Sequence, residues 1–171
     1  MRLMVDVQFA LEDTAGAPSE TDLTRWAEAA FLHTEAQAGA DFARAPLMTL
    51  RIVDEPEITE LNSTYRHKAM PTNVLSFPFE APLGIPPEAL EPELGDVVIC
   101  APVVARESAA QHKTPDAHWA HMVVHGTLHL LGYDHMNDAE ADAMESLETR
   151  ILASLGYPDP YQDERPHPEA P

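Results

Sequence analysis

Between residues 125 and 135 the chain reads His-Gly-Thr-Leu-His-Leu-Leu-Gly-Tyr-Asp-His. No other stretch so narrows what it can fold into. His125 and His129 stand four residues apart, so on a helix both imidazoles leave the same face, one turn above the other. Gly132 follows, the residue type best able to take a left-handed conformation and end that helix. The chain can then turn back and bring His135 toward the same point. Three convergent imidazoles make a divalent-metal site suited to one zinc ion per chain. With only three protein ligands a fourth position stays open for water, the mark of a catalytic rather than a structural centre.

The spacing H-x-x-x-H-x-x-G-x-x-H resembles the ligand pattern of the metzincin metalloproteases. The departure is at Gly126, where a protease carries the glutamate that acts as general base. Glycine cannot take a proton, so the metal points to hydrolysis while the missing carboxylate argues against peptides. A competing set, His118, His121 and His125, also lies on adjacent turns but lacks a turn residue and a third convergent ligand. It leaves His121 as a neighbour that orients a ligand from behind.

Periodicity places the rest of the chain around this helix. Residues 3–11 alternate as a first strand, 47–53 form a second, Val74–Phe77 a short third and Val97–Ala101 a fourth. Pro78 ends the third strand or puts it at a sheet edge. Ser19 or Thr21 caps a helix reaching about Ala38, where Gly39 ends it. Asp54 with Glu57 resembles a capping box opening a helix to Tyr65 or Arg66. A third helix runs from about Pro102 to Gln111. Thr114-Pro115-Asp116 starts the histidine helix with a cap, a proline at the first position and an acid in the first turn. Asn137 with Glu140 starts the last, whose Met144, Leu147, Ile151 and Leu155 form one core stripe. Glu80–Leu94, with four prolines and four glutamates, reads as an exposed excursion without regular structure. These elements describe a single α+β (mixed α/β) domain over residues 1–156. It has about four strands and about five helices, one of them a metzincin-like metal-site helix. Residues 157–171 read as a proline-rich disordered tail, with His167 outside the ligand set.

Charge and cysteine usage bound the surroundings. The net charge of −19 works against loose binding to polyanions. A nucleic-acid substrate would therefore require the few cations to gather at the site. Arg66 and Lys68, with His67 between them, are the nearest thing to a cluster. Cys100 is the only cysteine, so there is no intrachain disulfide, as suits a reducing compartment. It lies in the apolar run Val97–Cys100 and reads as a small buried residue. No apolar run reaches the roughly 20 residues of a membrane span. No signal-peptide pattern is present, and the expected location is the cytoplasm.

Four segments taken together resemble the YbeY family of bacterial single-strand-specific endoribonucleases. They are the histidine segment, Leu61–Arg66, Pro71–Phe77 and Leu94–Val97. The resemblance covers roughly residues 45–156 in the same order. It implies that His125, His129 and His135 hold zinc and that Arg66 is the family's functionally important arginine. It also implies a small mixed sheet with helices packed around it. The implied activity is metal-dependent cleavage of single-stranded RNA, maturing the 3′ end of small-subunit rRNA and serving ribosome quality control. The acidity and the 80–94 excursion depart from the family, and point to help from the ribosomal small subunit or its proteins in delivering substrate.

Phosphodiester cleavage gathers charge on non-bridging oxygens, which a metal and a guanidinium fork can share. Zinc and Arg66 are therefore expected to flank the scissile phosphate, although Arg66 read alone serves equally as a surface ion pair. Asp134 adjoins a ligand and is a candidate base or ring-orienting group, or simply a turn residue. Ser76 and His67 are weaker candidates for the base. Two alternatives stand beside this reading: a non-catalytic zinc-containing ribosome-assembly factor, and a metallohydrolase of another substrate.

Overall fold

The computed structural model describes residues 3–38 and 45–162. Its strands are β1 (Met4–Ala10), β2 (Leu47–Val53), β3 (Val74–Pro78) and β4 (Glu93–Cys100). Its helices are α1 (Glu20–Ala38), α2 (Glu55–Arg66), α3 (Ala101–Ala110), α4 (Pro115–Leu130) and α5 (Asp138–Ser154). The strands lie in one sheet in the order β1-β2-β4-β3. β1, β2 and β4 run parallel, and β3 is antiparallel to β4 at one edge. Pro78 thus sits where a missing backbone donor costs no ladder bond. The outcome is the expected mixed four-stranded sheet with five helices, an α+β domain.

Alternation decides which face each strand buries. In β2, Met48, Leu50 and Ile52 are wholly buried on one face, while Thr49 and Arg51 are half-buried on the other. β4 lies between two strands and is covered on both faces, so Val97 to Cys100 are all buried and alternation is absent there. The larger core joins Met48, Leu50, Val97 and Ile99 to Trp26 and Phe31 of α1, Trp119 and Leu128 of α4, and Met144 and Leu147 of α5. A smaller core on the other face joins Val98 and Cys100 to Ile58 of α2 and Val103 of α3. Burial also pushes the Cys100 thiol up, away from the reactive thiolate.

Three helix starts follow their local signals. Ser19 Oγ accepts from Asp22 N–H at 3.1 Å, Thr114 Oγ1 from Ala117 N–H at 3.2 Å and Asn137 Oδ1 from Glu140 N–H at 2.9 Å. The expected capping box at α2 does not form. Asp54 Oδ2 instead accepts from Glu12 N–H at 3.2 Å, and Glu57 is bound by both Nε and Nη2 of Arg51, at 2.6 and 3.0 Å. Both carboxylates have tertiary partners that displace the local ones. The expected end of α1 at Gly39 lies outside the described residues.

Two boundaries also move. β4 starts at Glu93 rather than Val97, because its register against β2 shifts between Leu47 and Met48, with Gly95 inside the strand at the irregularity. The 80–94 excursion is shortened accordingly, and holds one 3₁₀ turn at Pro87–Ala89. At the other end the chain does not leave the body at 156. Tyr157 packs edge-on against Trp26 with centroids 6.3 Å apart, Pro160 is buried, and Lys113 Nζ donates to Pro160 O at 2.8 Å. A short aromatic and proline segment gains apolar burial by staying attached. Residues 163–171, with His167, lie outside the described residues.

Candidate metal centre

α4 ends at Leu130, and Gly132 takes φ +98°. Gly132 N–H donates to His129 O and Tyr133 N–H to Leu128 O, both at 3.1 Å, the pair of bonds that closes a helix on a left-handed glycine. The chain then reverses, and Asp134 Oδ1 accepts from His135 N–H at 2.8 Å to hold the turn. His125 and His129 are half-buried on α4, and His135 is exposed beyond the turn. One ring nitrogen from each comes within 4.8 Å of the others. Nε2 of His125 and Nε2 of His129 are 3.1 Å apart.

The His125 ring is oriented from α5 by Glu148. Glu148 Oε1 accepts from His125 Nδ1 at 3.1 Å, which puts the proton on Nδ1 and leaves Nε2 as a bare lone pair facing His129. Glu148 Oε2 accepts from His121 Nε2 at 2.6 Å and from the Tyr161 hydroxyl at 2.9 Å. Burial alone would push the Glu148 carboxyl up, but the hydrogen bonds and charge of His121 and His125 together outweigh it and hold the group at about 2. Burial pushes the His121 imidazole down against the opposing pull of Glu148. Burial, then the nearness of His125, also lowers His129, keeping it in the neutral form a metal requires. Two imidazoles with nitrogens at ligand spacing, one hydrogen-bonded from behind by a carboxylate, and a third ring arriving from the turn fit a three-nitrogen metal site.

Glu148 was the residue least visible in the sequence. It falls on the same face as Met144, Leu147 and Ile151, where a wholly buried carboxylate must have partners. That misfit in an apolar stripe was its signal.

Gly126 has a packing reason. A Cβ there would come 2.6 Å from Val97 Cγ1 and 3.4 Å from Ser76 Oγ, because α4 lies directly on β4 and β3. The protease glutamate would be driven into the sheet, away from the imidazoles. Ser76 spends its hydroxyl on the same contact, donating to Gly126 O at 3.3 Å. Val97 is β-branched and wholly buried, so it cannot swing aside. Gly126→Ala is therefore expected to lower stability by about 1–3 kcal/mol despite its better helix propensity. Urea unfolding would show the fall, and an unchanged or raised midpoint would contradict the close approach.

The three histidines open onto a cavity of about 820 Å³, walled by β3, the loop before it and the turn after α4. Arg66, at the end of α2, lines it together with Lys68, and among the described residues Asp134 is the one acidic lining residue. Two cations against one carboxylate reverse locally the sign of a chain whose net charge is −19. Asp134 makes no hydrogen bond to an imidazole among the described residues. His67 takes φ +58° at the C-cap of α2 and does not line the cavity. The competing set does not assemble: His118 Nε2 binds Glu107 Oε1 at 2.9 Å, and Glu107 in turn accepts from Asn73 Nδ2 in the cavity wall at 3.0 Å.

A family model described as Endoribonuclease YbeY matches residues 9–156. An Endoribonuclease YbeY from Alcanivorax borkumensis is 53% identical over 169 residues, covering 96% of this chain and 92% of that protein. The solution structure of a Thermotoga maritima protein superposes with a TM-score of 0.54 at 21% identity, over 98% of this chain and 100% of that one, a likeness of fold. With the histidine segment and Arg66 both inside the matched region, the chain belongs to the YbeY endoribonuclease family.

Proposed function

We propose that this chain is a zinc-dependent endoribonuclease that cuts single-stranded RNA and matures the 3′ end of small-subunit rRNA in the cytoplasm. His125, His129 and His135 are its metal ligands, and Arg66 is the catalytic cation. The observation that carries the reading is the meeting of three imidazoles with Arg66 and Lys68 around one cavity on an otherwise acidic protein. Zinc held there supplies Lewis acidity toward a phosphate oxygen and toward water. Arg66 places a two-pronged donor beside the same phosphate, taking charge that grows as the bond breaks. Lys68 adds a second cation for a neighbouring phosphate. Asp134 and Ser76 are already bound to backbone groups, so they shape the wall rather than move protons.

With so few cations the protein's own hold on RNA is weak, and the ribosomal small subunit or its proteins would raise the local substrate concentration. Among the described residues no helix is long and apolar enough to cross a membrane. The buried single cysteine suits a reducing compartment.

The test is cleavage of end-labelled RNA by zinc-loaded protein, with single-stranded and duplex forms of one sequence compared. The expected result is cutting of the single strand alone, abolished by a chelator and restored by zinc. Equal cutting of both forms, or cutting that survives the chelator, would overturn the reading.

A further inference from the structure

The family match ends at residue 156, yet the hydrogen bonds that orient the metal centre continue to residue 161. After α5 the chain turns at Gly156 and runs back over the body. Asp159 Oδ1 accepts from Tyr161 N–H at 2.8 Å, and Lys113 Nζ grips Pro160 O from the far end of the α3–α4 loop. These contacts deliver the Tyr161 ring edge-on to His121, with centroids 5.2 Å apart. The Tyr161 hydroxyl then donates to Glu148 Oε2 at 2.9 Å and accepts from His121 Nε2–H at 3.1 Å, a proton His121 shares with Glu148.

A carboxylate that orients a metal-ligating imidazole works only if its own position is fixed. Glu148 Oε1 is used on His125, so the rotation of the carboxylate depends on what Oε2 is given. One donor, His121, comes from α4, the helix that also carries His125. The other comes from beyond α5.

We propose that Tyr161 is a positioning residue for the metal centre, and that the segment 157–161 is a strap completing it. By donating to Glu148 Oε2, Tyr161 holds Glu148 Oε1 on His125 Nδ1–H and so keeps His125 Nε2 directed at the metal. The inference rests on the zinc site proposed above. It adds that the site is incomplete in a chain lacking Tyr161, although the three proposed ligands all lie at or before His135.

The experiment compares zinc affinity, by competition with a chromophoric chelator, in wild type, His129→Ala and Tyr161→Phe. Visible spectra of the cobalt-substituted forms and ring nitrogen NMR of the histidines accompany it. Phenylalanine keeps the ring and removes only the hydroxyl. The expected result is zinc binding weakened about tenfold in Tyr161→Phe, a shifted cobalt spectrum, a changed His125 Nδ1–H signal and an unaltered melting curve. Lys113→Ala, which frees Pro160 and removes a charge felt by His121 but leaves Glu148 and His125 in place, should weaken zinc binding in the same direction and carries the test if Tyr161→Phe fails to fold. Wild-type affinity and spectra in both variants would overturn the proposal while leaving the metal centre standing. Wild type that binds zinc no better than His129→Ala would instead overturn the metal reading, and the proposal with it.

Discussion

On the metal site proposed above, His129→Ala is expected to yield a folded protein that loses its metal and about a thousandfold of its ribonuclease activity. The imidazole is half-buried at the cavity wall, and alanine favours the helix, so the packing of α4 on the sheet survives. What disappears is one of the three ligands proposed for the metal. Two imidazoles cannot hold zinc against solvent with the affinity of three, and the Lewis acidity of the ion goes with it. That contribution is several kcal/mol, and about 4 kcal/mol corresponds to about a thousandfold in rate. Metal content by elemental analysis, a melting curve and cleavage of labelled single-stranded RNA check the three parts separately. A metal-free variant that still cuts at the wild-type rate would show that the histidines do not serve the reaction.

Arg66→Ala should separate binding of metal from use of it. Arg66 lies at the end of α2, exposed and lining the cavity, and no described residue bonds its guanidinium. Stability and zinc content should therefore be those of the wild type. Activity should fall by about a hundred- to a thousandfold, the cost of removing one donor aimed at developing charge. Lysine at 66 should restore only part of the loss, because a point charge cannot bridge two phosphate oxygens. If alanine at 66 leaves the rate untouched, the guanidinium is a surface cation and another group carries the phosphate.

What lay within one stretch of chain was legible, because its geometry is local. A separation of four residues on a helix and a glycine after it suffice to bring His125, His129 and His135 together, and the structure does so. The caps at Ser19, Thr114 and Asn137 were readable for the same reason. Asp54 and Glu57 carried an equally good local signal and failed it, since Glu12 and Arg51 reach them from elsewhere in the chain. The end of the packed chain was misplaced at 156 by a similar cause. Proline-rich composition describes a segment's own preferences and says nothing of a buried hydroxyl acceptor waiting on α5.

By itself, then, the sequence determined the strands, the helices and a cluster of three imidazoles, because each follows from periodicity or from a turn spanning a few residues. Only the tertiary structure decided that α4 lies so close to Val97 that position 126 admits nothing larger than glycine. It alone decided that Glu148 reaches across from α5 to set the tautomer of His125. It also brought Arg66 and Lys68, some sixty residues from the histidines, to the same cavity, with one carboxylate there among the described residues. Packing between distant elements sets those distances, and no spacing along the chain encodes them.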